Sequence, residues 1–235
     1  MLNELRKDIE EAKNPEQAKT LQRFFKTGKG EYGEGDIFLG IKVPIQRKIA
    51  KNYIDLSFND LQMLLDSKIH EHRLIALIIL VNKYNKAKKD ATKKRQIFDF
   101  YLKNTNNINN WDLVDLSAPN IVGDFSSIDG TEIIRFLAKS KNLWEKRIAI
   151  VSTHSFIKKR IFGETLAIAD ILLKDEHDLI HKAVGWMLRE VGKRNIEVLE
   201  IFLKERYKEM PRTMLRYSIE KFPEEKRKAY LKGEI

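Results

Sequence analysis

Arg73-Leu74-Ile75-Ala76 recurs as Arg147-Ile148-Ala149-Ile150 and again as Lys182-Ala183-Val184-Gly185. Each copy is a cation followed by apolar residues inside a longer amphipathic segment. The first two cations stand 74 residues apart and the last two 35 apart. Half of the longer gap places a missing copy at Asn110, beside Trp111. The spacing therefore implies a repeat of about 37 residues. A basic residue before an apolar run is also ordinary helix amphipathicity, so the repeat needs support from the rest of the chain.

That support is helical throughout. Glu71–Tyr84, Lys93–Leu102, Trp144–Ile157, Ile180–Lys193 and Ile196–Lys208 carry apolar residues at three- and four-residue intervals. Ser57-Phe58-Asn59-Asp60 reads as a capped helix start, with Ser57 at the N-cap and Asp60 three residues on. Strand signals are confined to Ile37–Ile41, behind a glycine-rich stretch, where a short β-hairpin near 27–41 is expected. A helical period near 37 belongs with solenoids of the HEAT or armadillo type, whose period is about 40–47. The expected fold is an all-α superhelical solenoid of HEAT-like helix pairs, a single domain over 1–235. Such a stack repeats one helix position along a concave wall. Here that position holds Arg73, the Trp111 segment, Arg147 and Lys182.

Composition narrows the function classes. Forty-four Lys and Arg against 34 Asp and Glu give a formal charge of +10, as in proteins that meet nucleic acid or an anionic surface. With no cysteine, thiolate nucleophiles, disulfides and cysteine metal sites are excluded. The charged, amphipathic start Met1–Lys7 lacks the apolar core of a signal peptide. The apolar run Leu74–Val81 is too short to cross a bilayer. These features read as a soluble, cytoplasmic protein without a membrane partner.

Two motifs promise more than their context supports. Gly28-Lys29-Gly30-Glu31-Tyr32-Gly33 matches a dinucleotide fingerprint in form. No strand precedes it, and Glu31, Glu34 and Asp36 would repel a pyrophosphate, so a turn or hairpin is expected. His177 and His181 have the spacing of a helical zinc pair. With neither a glutamate base between them nor an evident third ligand, they read as the polar start of a repeat helix. Neither a cofactor nor a metal is expected.

Asn109-Asn110-Trp111-Asp112-Leu113-Val114-Asp115 carries the chemistry. Trp111 and Asp115 share a helical face at i and i+4. An indole beside a carboxylate suits something flat, cationic, or both. Taken singly, Arg147 reads as an exposed helix arginine, and Trp144 and Trp186 as core.

Four strings taken together resemble the AlkD-type DNA alkylation repair family. They are Phe38-Leu39-Gly40-Ile41-Lys42-Val43-Pro44, Trp111–Asp115, Trp144–Ala149 and Lys182–Glu190, in matching order and spacing from about Leu21 to Arg216. The resemblance implies a superhelix of HEAT-like repeats. It also implies a DNA glycosylase that removes positively charged alkylpurines such as 3-methyladenine and 7-methylguanine. By position, Trp111 and Asp115 match that family's catalytic tryptophan and aspartate, Trp186 its second active-site tryptophan, and Arg147 its phosphate-binding arginine. Lys182 and Arg73 join the expected DNA wall through the repeat register. The expected partner is alkylated double-stranded DNA, bound by a monomer.

An alkylated purine already carries positive charge and leaves as a neutral base. What needs stabilising is the cationic sugar, a task for a fixed carboxylate and indole faces. The stretch Thr27–Asp36 departs from the family pattern as an insertion. Some relatives in the family this chain resembles carry extra elements, show no glycosylase activity and bind branched DNA instead, so a non-catalytic DNA-structure binder is the main rival. An acidic-protein interaction module is the third reading.

Overall fold

In the computed structural model, which describes residues 1–235, the chain is helical from end to end and contains no β-strand. It divides into two compact units, Met1–Ser117 and Ala118–Ile235. The first carries α1 (Leu2–Glu11), α2 (Pro15–Phe24), α3 (Val43–Asn52), α4 (Phe58–Leu65), α5 (His70–Lys86), α6 (Ala91–Lys103) and α7 (Trp111–Ser117). The second carries α8 (Asp124–Asp129), α9 (Glu132–Ala138), α10 (Leu143–Ser152), α11 (His154–Lys158), α12 (Gly163–Ile171), α13 (Asp178–Gly192), α14 (Ile196–Arg206), α15 (Arg212–Ser218) and α16 (Glu224–Lys232).

Within the first unit α5 is the hub. Leu74–Val81 is apolar on every side, and a helix of that composition has to be surrounded. It packs on α3, α4, α6 and α7, and all eight residues of the run are buried. In the second unit α10 packs on α13 and α13 on α15, with α9, α12 and α14 set beside them. Alternate helices pack together at α3 and α5, α5 and α7, and α13 and α15, while α4 with α5 and α9 with α10 pack as chain neighbours.

The repeat register has a structural signature ahead of three of these helices. Before α5, Ser67 Oγ accepts from the Ile69 amide at 3.1 Å. Before α10, Ser140 Oγ accepts from Asn142 at 3.0 Å. Before α13, Asp175 Oδ1 accepts from His177 at 2.9 Å. A short polar side chain that bonds the amide two residues on turns the chain into the next helix. The capping box also forms as read: Ser57 Oγ accepts from the Asp60 amide at 3.1 Å and Asp60 Oδ2 from the Ser57 amide at 3.2 Å.

Two expectations are corrected. The helix over Trp144–Ile157 is divided at Thr153, whose hydroxyl turns back onto the Ile150 carbonyl at 2.7 Å. No hairpin forms over 27–41. Residues 27–36 make a series of turns, and Ile37 contributes one isolated bridge to Ile69. The reason lies in α5. The buried carboxylate of Glu71 accepts from the amides of Leu39 (2.9 Å), Gly40 (2.8 Å) and Ile41 (3.2 Å). Those donors would otherwise need a partner strand.

Candidate nucleic-acid site

Helix α7 begins at Trp111, so Trp111 and Asp115 occupy its first and fifth positions and face the same way. Both are half-buried, whereas Leu113, Val114 and Ser117 bury the opposite face. The start of the helix is tightly held. Asn110 accepts from the Trp111 amide at 2.8 Å, and Asp112 Oδ1 accepts from Leu113 at 2.9 Å.

Behind Trp111 runs an aromatic ladder. Its indole stacks on Phe25, and Phe25 on Phe38, each at 5.0 Å between centroids and 18° between planes. Phe38 stacks in turn on the His70 imidazole at 4.4 Å. Phe24, 61% exposed, makes a T-shaped contact with Trp111, 5.9 Å between centroids and 74° between planes. One indole face is therefore occupied by Phe25 from within. The hydrogen on Nε1 goes to the phenol oxygen of Tyr32, 3.3 Å away.

His70 ends the ladder and ties it to α7. Its Nε2 lies 2.8 Å from Asp112 Oδ2 and its Nδ1 3.2 Å from Asp36 Oδ2. Two carboxylates on two ring nitrogens call for two N–H donors, hence an imidazolium. Burial alone would lower the His70 pKa. The charge of Asp112 and the bonds to Asp112 and Asp36 outweigh burial and the opposing Arg73, raising it to about 9. For Asp36, burial acts upward, but the bonds and charges of His70 and Arg73 prevail and hold it below the usual carboxylate range.

Asp36 gathers the surrounding groups. Besides His70 it accepts from Arg73 Nη2 at 2.6 Å and from Asn110 Nδ2 at 3.4 Å. Arg73 also donates to the Ser67 carbonyl at 2.8 Å and is only 4% exposed. This corrects the reading of Arg73 as a phosphate contact, because its guanidinium is buried against Asp36 and the Ser67 carbonyl inside the first unit. Nearby, burial raises the Tyr101 pKa; its bond with Ser117 opposes and the charge of Asp115 adds.

In the second unit the other sequence-derived residues are placed as follows. Arg147 lies in α10, 5% exposed, and donates to the Leu179 carbonyl at 2.7 Å. Arg73, Asn110 and Arg147 thus point inward, the first two tied to Asp36 and Arg147 to the first turn of α13. Lys182 is half-buried and paired with Asp178 at 2.6 Å. Trp186 lies half-buried on α13 with its ring 6.1 Å from that of His154. Burial first, then nearby Lys158, lowers the His154 pKa. His177 caps α13 by accepting from the Leu179 amide, and His181 bonds the Asp175 carbonyl. That accounts for the histidine pair without a metal.

Sequence reasoning missed Tyr32, Asp36, His70 and Asp112. The acids of the 27–36 stretch read only as a source of repulsion. In the structure Glu31 and Glu34 accept from the amides of Gly28 (2.9 Å) and Gly30 (2.8 Å). They stitch the turns together.

The chain is a basic, all-α protein that sets an indole and a carboxylate on one helix face, with a net charge of +10. Residues 5–222 match the model of a family described as DNA alkylation repair enzyme, and the chain belongs to that family. Among solved structures it is similar to a predicted DNA alkylation repair enzyme from Enterococcus faecalis. The TM-score is 0.68 at 17% identity, over 90% of this chain and 97% of that one. It is also similar to AlkD2 from Streptococcus mutans, with a TM-score of 0.56 at 18% identity, over 89% of this chain and 98% of the other. No curated protein matches the chain significantly.

Proposed function

We propose that this protein is a DNA glycosylase that releases positively charged N3- and N7-alkylpurines from duplex DNA. The observation that carries the reading is the half-exposed face of α7, where Trp111 and Asp115 stand together against a rigid aromatic backing. As the glycosidic bond lengthens, the base takes the bonding pair and leaves neutral, and positive charge builds on the sugar. Asp115 stabilises that charge and orients the attacking water. Trp111 presents its outer face to the same cation. From the order of the sequence motifs, Trp186 supplies a second indole, and Arg147, by exchanging its bond to the Leu179 carbonyl, a phosphate contact that sets register. Lys182, half-buried with its ammonium within reach of solvent, adds phosphate attraction, and Arg73 takes no part.

The test is chromatography of bases released from N-methylated duplex DNA. Wild type releases 7-methylguanine and 3-methyladenine. Asp115→Asn releases them at least about a hundredfold more slowly, the loss typical of one preorganised electrostatic group. Undiminished release by Asp115→Asn sinks the mechanism. No release by wild type beside an active control sinks the function.

The rival is a non-catalytic binder of branched DNA. It is favoured by residues 27–36, which fasten onto the helix that carries Trp111. In that case a four-way junction binds more tightly than methylated duplex and no base appears.

A further inference from the structure

Residues 27–36 are held at both ends. At one, the Gly33 amide bonds the Lys26 carbonyl at 3.1 Å. At the other, Asp36 is fixed by Arg73, His70 and Asn110. Glu31 and Glu34 bond amides within the segment. Such a closed set of bonds would suffice for a plug that only completes the first unit. Tyr32 goes further. Half-buried, it points its hydroxyl at the one polar atom of the Trp111 side chain.

An indole N–H can only donate, so the phenol oxygen accepts. The ring is already stacked on Phe25 and in T-shaped contact with Phe24. Stacking alone lets a flat ring slide and turn in its plane. A directional bond at Nε1 removes that freedom. It also draws the N–H proton outward, which polarises the ring and enriches the face that a cation would meet.

We propose that Tyr32 is a positioning residue for Trp111, fixing and polarising the indole from within the 27–36 segment. The role rests on the glycosylase reading above, but the contact itself can be read without it.

Tyr32→Phe keeps the ring and removes the hydroxyl that accepts from the indole N–H. The Trp111 indole N–H resonance, assigned with Trp111→Phe, is expected to move upfield in a proton–nitrogen correlation spectrum. For 7-methylguanine release, kcat is expected to fall about threefold to tenfold with KM unchanged, the range for one hydrogen bond. The thermal midpoint should stay within a degree or two of wild type, which a merely structural role would not allow. Wild-type kcat in Tyr32→Phe overturns the proposal, and so does an unmoved resonance. If wild type releases no base, the glycosylase reading fails by itself. The positioning contact then stands or falls with the resonance.

Discussion

At the residue scale, the side chain with the largest consequence is His70. It is buried, stacked on Phe38 and bonded to two carboxylates. Its pKa is about 9 in the folded chain against 6.5 as the ordinary value. Between those values the folded protein binds a proton that the unfolded chain does not, so stability falls as pH rises. The contribution is complete below about 6.5 and gone above about 9, and its order of magnitude is about 3 kcal/mol. Urea midpoints measured from pH 6 to 10 should fall across this window in wild type and stay nearly flat in His70→Gln. Equal slopes would remove the imidazolium from the account. Asp36 acts in the opposite sense: its contribution is present above the ordinary carboxylate pKa and lost as pH falls through its own lower value. None of this was legible beforehand. His70, Asp36 and Asp112 are far apart in the chain, and no periodicity links them.

At the element scale, two glycines set how closely segments approach. Gly40 sits at φ +85°, and a Cβ there would lie 2.0 Å from the Asn14 carbonyl oxygen. Gly40→Ala meets both backbone strain and a collision with main chain. It should cost on the order of 3 kcal/mol, high for a single substitution. A lower urea midpoint at unchanged slope is the expected result. Gly185 on α13 poses a finer contest. Alanine would gain about 1 kcal/mol of helix propensity. Its Cβ would lie 2.5 Å from Tyr217 Cβ and 2.6 Å from the Met214 carbonyl oxygen, so α15 has to move. We expect the packing loss to win and Gly185→Ala to be less stable than wild type; a stabilised variant would show that α15 shifts at little cost. The motif string around Gly185 was visible in the sequence, but the reason for its glycine is the close approach of α15. Likewise the apolar spacing gave the helices, whereas the division at Thr153 follows from a hydroxyl turning onto its own helix.

At the scale of the whole molecule the charge of +10 becomes a prediction about partners. Each phosphate neutralised by Lys or Arg adds about −0.9 to the slope of log affinity against log salt. Affinity for unmodified duplex, measured by fluorescence anisotropy, should fall steeply between about 50 and 200 mM salt. A flat response would remove DNA as the partner and favour an acidic protein surface. Within that response Lys182→Ala should reduce the slope by about one phosphate. Arg73→Ala should destabilise the first unit, leaving the slope as it is, since Arg73 is buried against Asp36.

The sequence by itself determined the helical class and the shared helix face of Trp111 and Asp115. These depend on spacing along one chain: 3.6 residues per turn fixes which side chains share a face, whatever surrounds them. Only the tertiary structure decided which way the register points and what holds the indole. Arg73 reads as a surface cation until Asp36, 37 residues earlier, is seen to meet it. Tyr32 reads as a loop aromatic until its hydroxyl lies against an indole 79 residues away. A hydrogen bond across such a distance is set by how helices pack, and the residues it joins carry no local mark of it.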